Sequence, residues 1–276
     1  MAFKMLVDAN GVPFSEYGVY RGIEIGRQRS VLAVAVRGIW YWNEYFRQDE
    51  APVLLSYDWT RWPENFDESR PPDSEQARRM LINCADWMLN RIEPRAHFAV
   101  WTYPYAFSYG TGPGWRSAHA QAVGLQLLVR ATEITNNSNY MDPVDRLLRA
   151  FTVNLVDGGL STRTESGEIW FEKMADENNR QPKVLNGLLF TILGLKDIAI
   201  RTGLQQPSRL ADAGGRTAAE FLPRFDLGDW SAYDIHGKRA STHYHDIHIR
   251  QLELLAKLTG RAEFAKYRDL FRSQKQ

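Results

Sequence analysis

The chain carries a single cysteine, Cys84, and this scarcity excludes an internal disulfide and any metal cage built from several thiolates. Its flanks, Leu81-Ile82-Asn83 and Ala85-Asp86-Trp87, have helical character, so the thiol reads as a buried apolar filler and not as a nucleophile. An excess of one charge is missing too: 34 Lys and Arg stand against 33 Asp and Glu, a net charge of +1. A nucleic-acid binder shows a basic stripe or a high overall charge, and neither is present. An acidic sugar stays compatible, because a few arginines in one cleft leave no mark on the total. No run approaches the roughly 18 apolar residues of a membrane span. Between Met1 and Gly18, Lys4, Asp8, Asn10, Gly11 and Pro13 interrupt any signal-peptide core, so a cytoplasmic location is expected. Strand signals are sparse. Phe98 to Tyr109 and Glu168 to Phe171 are aromatic enough for short hairpin pieces, and Asp157-Gly158, a hairpin-type dipeptide, falls at a helix end. No linker rich in Gly, Ser and Pro divides the chain, so one domain is expected over 30–276, behind an extended segment at 1–29.

Aromatic residues are plentiful: 9 Trp, 12 Tyr and 13 Phe, or 12% of the chain. Such side chains suit a sugar ring as well as they suit a helical core. Helical periodicity accounts for most of the sequence, in eight segments. Ser30 to Arg47 and Lys183 to Thr202 are apolar on more than one face. Ser74 to Ile92 follows an Asp73-Ser74 cap, has Glu75 in its first turn, and bears a single apolar stripe. Ser117 to Thr135, Pro143 to Leu155, Pro207 to Leu222, Ser241 to Leu258 and Arg261 to Arg272 complete the set. Helices buried all round, wrapped by helices exposed on one side, make an inner and an outer ring. The expected fold is all-α, an incomplete α/α toroid of about four helical hairpins, although an irregular helical bundle fits the same pattern.

The polar and aromatic residues near helix ends carry the chemistry. In order they are Gly114-Trp115-Arg116-Ser117-Ala118-His119-Ala120-Gln121, then Leu185-Asn186-Gly187 with Gly194-Leu195-Lys196-Asp197, then Leu222-Pro223 with Asp226 and Gly228. Tyr233-Asp234 and Tyr244-His245 with His248, Gln251 and Leu252 follow. This series, with Asn83-Cys84-Ala85-Asp86-Trp87 upstream, resembles the motifs of the glucuronyl C5-epimerases, in the same order and from about Tyr17 to the C-terminus. The resemblance implies an α/α toroid and inversion at C5 of glucuronic acid within a polysaccharide such as those of heparan sulfate biosynthesis. A base removes the C5 proton, which lies α to the carboxylate, and an acid returns one to the opposite face. The intermediate resembles an enediolate, so cations or donors near the carboxylate stabilise it. No cofactor is implied.

By position, Tyr233 and Tyr244 match two tyrosines the family uses at its active site, which makes them the acid and base candidates. Glu172, Lys173 and His245 are assisting groups. Trp115, Arg116, Gln121, Tyr103, Tyr105, Asn186, His248 and Arg250 are candidates for substrate binding. The chain departs from the family at one place: Trp170-Phe171-Glu172-Lys173-Met174-Ala175 stands where epimerases carry Trp-Tyr-Glu-Glu-Tyr-Pro. Lys173 and Met174 thus replace a Glu and a Tyr that the family counts as catalytic. A lysine serves as a base if burial lowers its pKa, and as a carboxylate clamp if it does not. His245 and His248, three residues apart, form a conceivable ligand pair, but the family keeps both in a metal-independent reaction, so no metal is expected. Asp8-Ala9-Asn10-Gly11 hints at a calcium loop without its later acidic ligands. The expected partner is an acidic polysaccharide or oligosaccharide, with a homodimer left open. Many epimerases carry β-rich domains ahead of the helical one, and with about 30 residues before the first helix those are expected to be absent. A carbohydrate-binding homologue without activity and a uronate lyase are the alternative readings.

Overall fold

The structure, a computed structural model, describes residues 4–20, 22–46, 72–178 and 181–275. Helices dominate: α1 (Val31–Phe46), α2 (Ser74–Leu89), α3 (Ala118–Thr135), α4 (Val144–Arg149), α5 (Leu185–Thr202), α6 (Gln205–Phe221), α7 (Thr242–Thr259) and α8 (Ala262–Ser273). Each of the eight expected segments overlaps one of them, α6 starting two residues earlier and α7 and α8 each ending one later than expected, and Arg47, at the end of the first, lies outside the described residues. Their ends follow capping chemistry. Asp73 accepts from the backbone N–H of Gln76 while the Gln76 side chain accepts from Asp73 N–H, a reciprocal box at the start of α2. Ser117 and Ser241 cap α3 and α7, and Gly203 and Gly260 close α5 and α7 in the left-handed conformation.

The helices are arranged in two rings. In sequence order α1, α3, α5 and α7 pack side by side, and α2, α6 and α8 lie outside against α1, α5 and α7 respectively. Among the described residues no comparable contact joins α7 back to α1, so the inner ring is open. Burial follows position. Ala118 through Ala131 of α3 is buried without interruption, whereas α2 buries only the stripe Ala77, Leu81, Cys84, Ala85 and Met88. This is the α/α toroid expected from the helical pattern. Within the rings, a buried ion cluster ties the far ends of α3 and α5 together: Arg130 meets Asp197 at 2.6 Å, Gln126 donates to the same carboxylate, and Arg201 reaches its other oxygen at 3.1 Å.

Two local expectations need correction. Asn10-Gly11 was not among the hairpin signals, yet it connects strand Lys4–Val7 to strand Pro13–Glu16, with Gly11 at φ 77°. Asp8 accepts from the N–H groups of Asn10 and Val12 and pairs with Arg29, so its carboxylate organises this turn and not a calcium loop. The helix expected from Pro143 to Leu155 stops at Arg149. Beyond it the Ala150 and Val153 carbonyls accept from Leu160 N–H, and Asn154 caps a short 3-10 turn at Leu155–Asp157, so the backbone groups of a longer helix are spent on the returning loop.

The aromatic stretches do form short hairpin pieces: Ala99–Val100 pairs with Glu93–Pro94, Thr102–Tyr103 with Trp115–Arg116, and Ile169–Phe171 with Ser161–Arg163. The last two deliver Trp115 and Lys173 to the same end of the rings, because Arg116 and Ala175 exchange backbone hydrogen bonds and Ala118 N–H donates to the Glu172 carbonyl.

Candidate functional site

Lys173 is the centre of the candidate site. It leaves the Ile169–Phe171 strand in a tight turn and lays its aliphatic stem over the first turn of α5. Gly187 makes room for that stem: a Cβ there would stand 2.4 Å from Lys173 Cβ and 2.8 Å from Cδ. The ammonium donates to Asn186 Oδ1 at 2.9 Å and to the Tyr233 hydroxyl at 3.2 Å, and it stands 5.4 Å and 5.6 Å from the ring centres of Tyr233 and Tyr244. Burial lowers the pKa of Lys173, with Tyr244 opposing the shift. Replacing Gly187 by Ala is expected to cost about 1–3 kcal/mol, as overpacking does, and to displace the ammonium. Chemical denaturation measures the first effect.

Tyr233 and Tyr244 come from different elements and meet with ring centres 4.7 Å apart at 60°. Tyr233 is held by its backbone, whose carbonyl accepts from Leu185 N–H at the start of α5. Asp234 braces the same loop by accepting from His236 and Lys238 N–H and from the Tyr109 hydroxyl at 2.7 Å. Tyr244 lies in the first turn of α7. The two hydroxyls interact, and burial is the main reason both phenols hold their protons more tightly, Tyr233 being pushed up to about 12. The charge of Lys173 works against this at Tyr244. Further along the inner face of α7, Gln251 donates to the Asn186 carbonyl at 2.9 Å, so Asn186 joins Lys173 to α7. His119 and His248 feel the Lys173 charge; burial first, then that charge, lowers the pKa of His119.

An aromatic wall adjoins this group. Tyr103 and Trp115 stack at 3.9 Å and 7°, Phe107 stacks on Trp115 at 6.0 Å, and Tyr20 stacks on Phe107 at 4.9 Å. Tyr20 in turn influences both Tyr233 and Tyr244. The Tyr105 ring closes the wall beside Tyr17 at 5.5 Å, and its hydroxyl donates to Tyr17.

Other sequence candidates are committed elsewhere. Glu172 is fully buried on the other side of the strand end, accepting from Thr162 at 2.8 Å and standing 3.5 Å from Lys183; burial raises its pKa, and Lys183 opposes this. Arg116 donates to the Gly159 and Leu155 carbonyls and pairs with Glu177 at 2.9 Å, which makes it a brace for the 155–159 loop. Gln121 bridges the Ala99 and Leu147 carbonyls and accepts from Trp101 N–H. His245 spans from Ser231 to the Phe271 carbonyl and stacks on Trp230 at 3.7 Å. Arg250 is exposed, on the side of α7 away from His248. The sequence reading missed Tyr20, Ser231 and Lys183, because nothing near them in the chain marks a partner that lies many residues away. No group of three or more His, Cys, Asp or Glu side chains suited to a metal occurs among the described residues. Among them, too, no helix is long and apolar enough to cross a membrane.

A crystal structure of a D-mannose isomerase superposes with a TM-score of 0.56 at 12% identity, covering 94% of this chain and 64% of that one, a likeness of fold. An uncharacterized protein of Methanocaldococcus jannaschii is 34% identical over 192 residues, 68% of this chain and 62% of its own length. The D-glucuronyl C5-epimerase of Caenorhabditis elegans is 29% identical over 207 residues, 66% of this chain, and the match spans 32% of that protein. The chain therefore covers less than two thirds of either relative. The model of the D-glucuronyl C5-epimerase C-terminus matches residues 95–273, which include Lys173, Asn186, Tyr233 and Tyr244, and the chain belongs to that family.

Proposed function

We propose that the protein is a uronic acid C5-epimerase that converts glucuronate to iduronate residues in an acidic polysaccharide or oligosaccharide. The observation that carries this reading is the placement of the Lys173 ammonium beside two facing phenols, bonded to Asn186 and Tyr233. An ammonium supplies the counter-charge for the substrate carboxylate and for the enediolate formed when C5 loses its proton. Burial holds the Tyr233 proton, but the contact with Tyr244 works against this and its oxygen accepts from Lys173, so of the two phenols Tyr233 suits the base. Tyr244, whose proton is held more tightly in that contact, suits the acid. The two hydroxyls must part around the sugar ring to address opposite faces of C5. In the aromatic wall Tyr103, Tyr105 and Trp115 are buried, so the half-buried rings of Tyr17, Tyr20 and Phe107 are the ones placed to meet neighbouring sugars. Lys173 here takes the place of the family's glutamate, with its positive charge acting as a clamp.

Incubation with a panel of uronate polymers in heavy water tests this reading. An epimerase incorporates deuterium at C5, a lyase releases an absorbing unsaturated sugar, and a binding protein does neither. Met174 favours the binding-only alternative, since a buried thioether stands where the family has a catalytic tyrosine. Lys173→Met keeps the stem and removes the charge. Its exchange rate is expected to fall by about 10²-fold, the scale of one lost stabilising donor. An unchanged rate would remove Lys173 from the mechanism.

A further inference from the structure

The Ser231 hydroxyl lies between two imidazoles, 2.8 Å from His245 Nδ1 and 2.9 Å from His248 Nδ1. It has one proton and cannot donate to both rings. The far edge of His245 resolves the choice. Its Nε2 is 2.7 Å from the Phe271 carbonyl, which only accepts, so Nε2 carries a proton. The ring is fully buried, which disfavours a second proton. His245 Nδ1 is therefore a lone pair, and it also receives the Ser231 N–H at 3.3 Å. The hydroxyl proton goes to His245. The Ser231 oxygen then faces His248 with lone pairs only, and His248 Nδ1 must bring the proton to that bond. This leaves the proton-free Nε2 of His248 buried and without a hydrogen-bond partner among the described residues.

His248 lies one turn beyond Tyr244 and one turn before Gln251 on the buried face of α7. Gln251 and Lys173 both bond Asn186, so His248 occupies the same end of the rings as the lysine. We propose that Ser231, held by His245, is a positioning residue that locks His248 with its proton on Nδ1 and a bare, neutral acceptor at Nε2. The assignment of protons stands on its own; its consequence for chemistry rests on the uronate reading above. A neutral His248 supplies no counter-charge for a sugar carboxylate, which leaves the carboxylate to Lys173. Burial first, with His245 and then Lys173 beside it, brings the His248 pKa down to about 3, in keeping with a neutral ring.

Nitrogen NMR of the histidine-labelled, carbohydrate-free protein near neutral pH tests the proposal, because two-bond nitrogen–proton correlations distinguish the two tautomers. Loss of its signals in His248→Gln assigns His248. The expected result is the Nδ1–H form for His248 and the Nε2–H form for His245. An Nε2–H or doubly protonated His248 overturns the proposal, and this measurement needs no variant of Ser231 to fold. In Ser231→Ala the backbone N–H still reaches His245, but His248 loses its acceptor and is expected to shift to the Nε2–H form or to a mixture. A His248 tautomer unchanged in that variant overturns the role of Ser231. Since no substrate is present, failure to epimerise any uronate leaves these outcomes intact.

Discussion

Tyr244→Phe is expected to lower C5 deuterium exchange by about 10²–10⁴-fold, the range for loss of a positioned acid or base. The substitution removes one oxygen. The ring contacts with Tyr233 at 4.7 Å and His243 at 5.4 Å remain, as does the Lys173 ammonium 5.6 Å from the ring centre. Stability should therefore change by less than about 1.5 kcal/mol, the scale of one ordinary hydrogen bond. Binding of the sugar chain should survive, since the aromatic wall and Lys173 are untouched. The combination of slow exchange, unchanged melting and retained binding identifies a proton-transfer group. Full exchange in the variant would remove Tyr244 from the mechanism and move the role to Tyr233. Unfolding would instead assign the hydroxyl to structure.

Asp197→Ala is expected to be the most damaging change to stability, at about 3–5 kcal/mol, because it strands a buried cation. Arg130 and Asp197 are both nearly inaccessible to solvent, and Gln126 and Arg201 complete the cluster. Burial by itself raises the Asp197 pKa, but the charge and hydrogen bonds of Arg130, with Arg201 and Gln126, outweigh it, and the net shift is downward. A carboxyl with a depressed folded-state pKa contributes stability that is fully present above its unfolded value, about 4, and lost as the pH falls through the folded value. Denaturant titrations at neutral pH and below pH 4 check both points: the gap between Asp197→Ala and the parent chain should narrow with acid. Equal stability of the two at neutral pH would show that the cluster contributes nothing net. Asp197 closes the Gly194-Leu195-x-Asp197 motif, so this part of the family pattern serves the rings and not the chemistry.

A helix declares itself locally, because its caps and its apolar spacing lie within a few turns: Asp73 with Gln76, Ser117, Ser241 and Gly260 are all visible in the chain. The difference between an all-round apolar helix and a single stripe also survives in sequence, and it made the two-ring arrangement one of two that fit the pattern. The Pro143–Leu155 segment failed for the complementary reason. Its helical pattern continued, but Leu160 returns to take the carbonyls a longer helix would need, and nothing in the segment announces that competitor. Asn10-Gly11 was legible and overlooked, since its flanking strands are only four residues each.

For the site, the resemblance to the family motifs brought Tyr233 and Tyr244 forward and the departure from them brought Lys173, while their meeting depends on three separate connections converging at the start of α5. The same motifs held Arg116, Gln121 and Asp197, and no sequence feature separates a buried polar residue that braces backbone carbonyls from one that awaits a ligand. That distinction depends on whether every donor already has an acceptor, and acceptors come from segments far away in the chain: Gly159 and Leu155 for Arg116, Ala99 and Leu147 for Gln121. The sequence by itself determined most of the helices and their caps, because those follow from interactions between near neighbours, whereas the ring order comes from packing between segments far apart in the chain. Only the tertiary structure decided that Glu172 turns inward to Thr162 and Lys183 while the next residue, Lys173, turns to Tyr233, because consecutive side chains at a strand end point to opposite sides and only the packed rings define what lies on each.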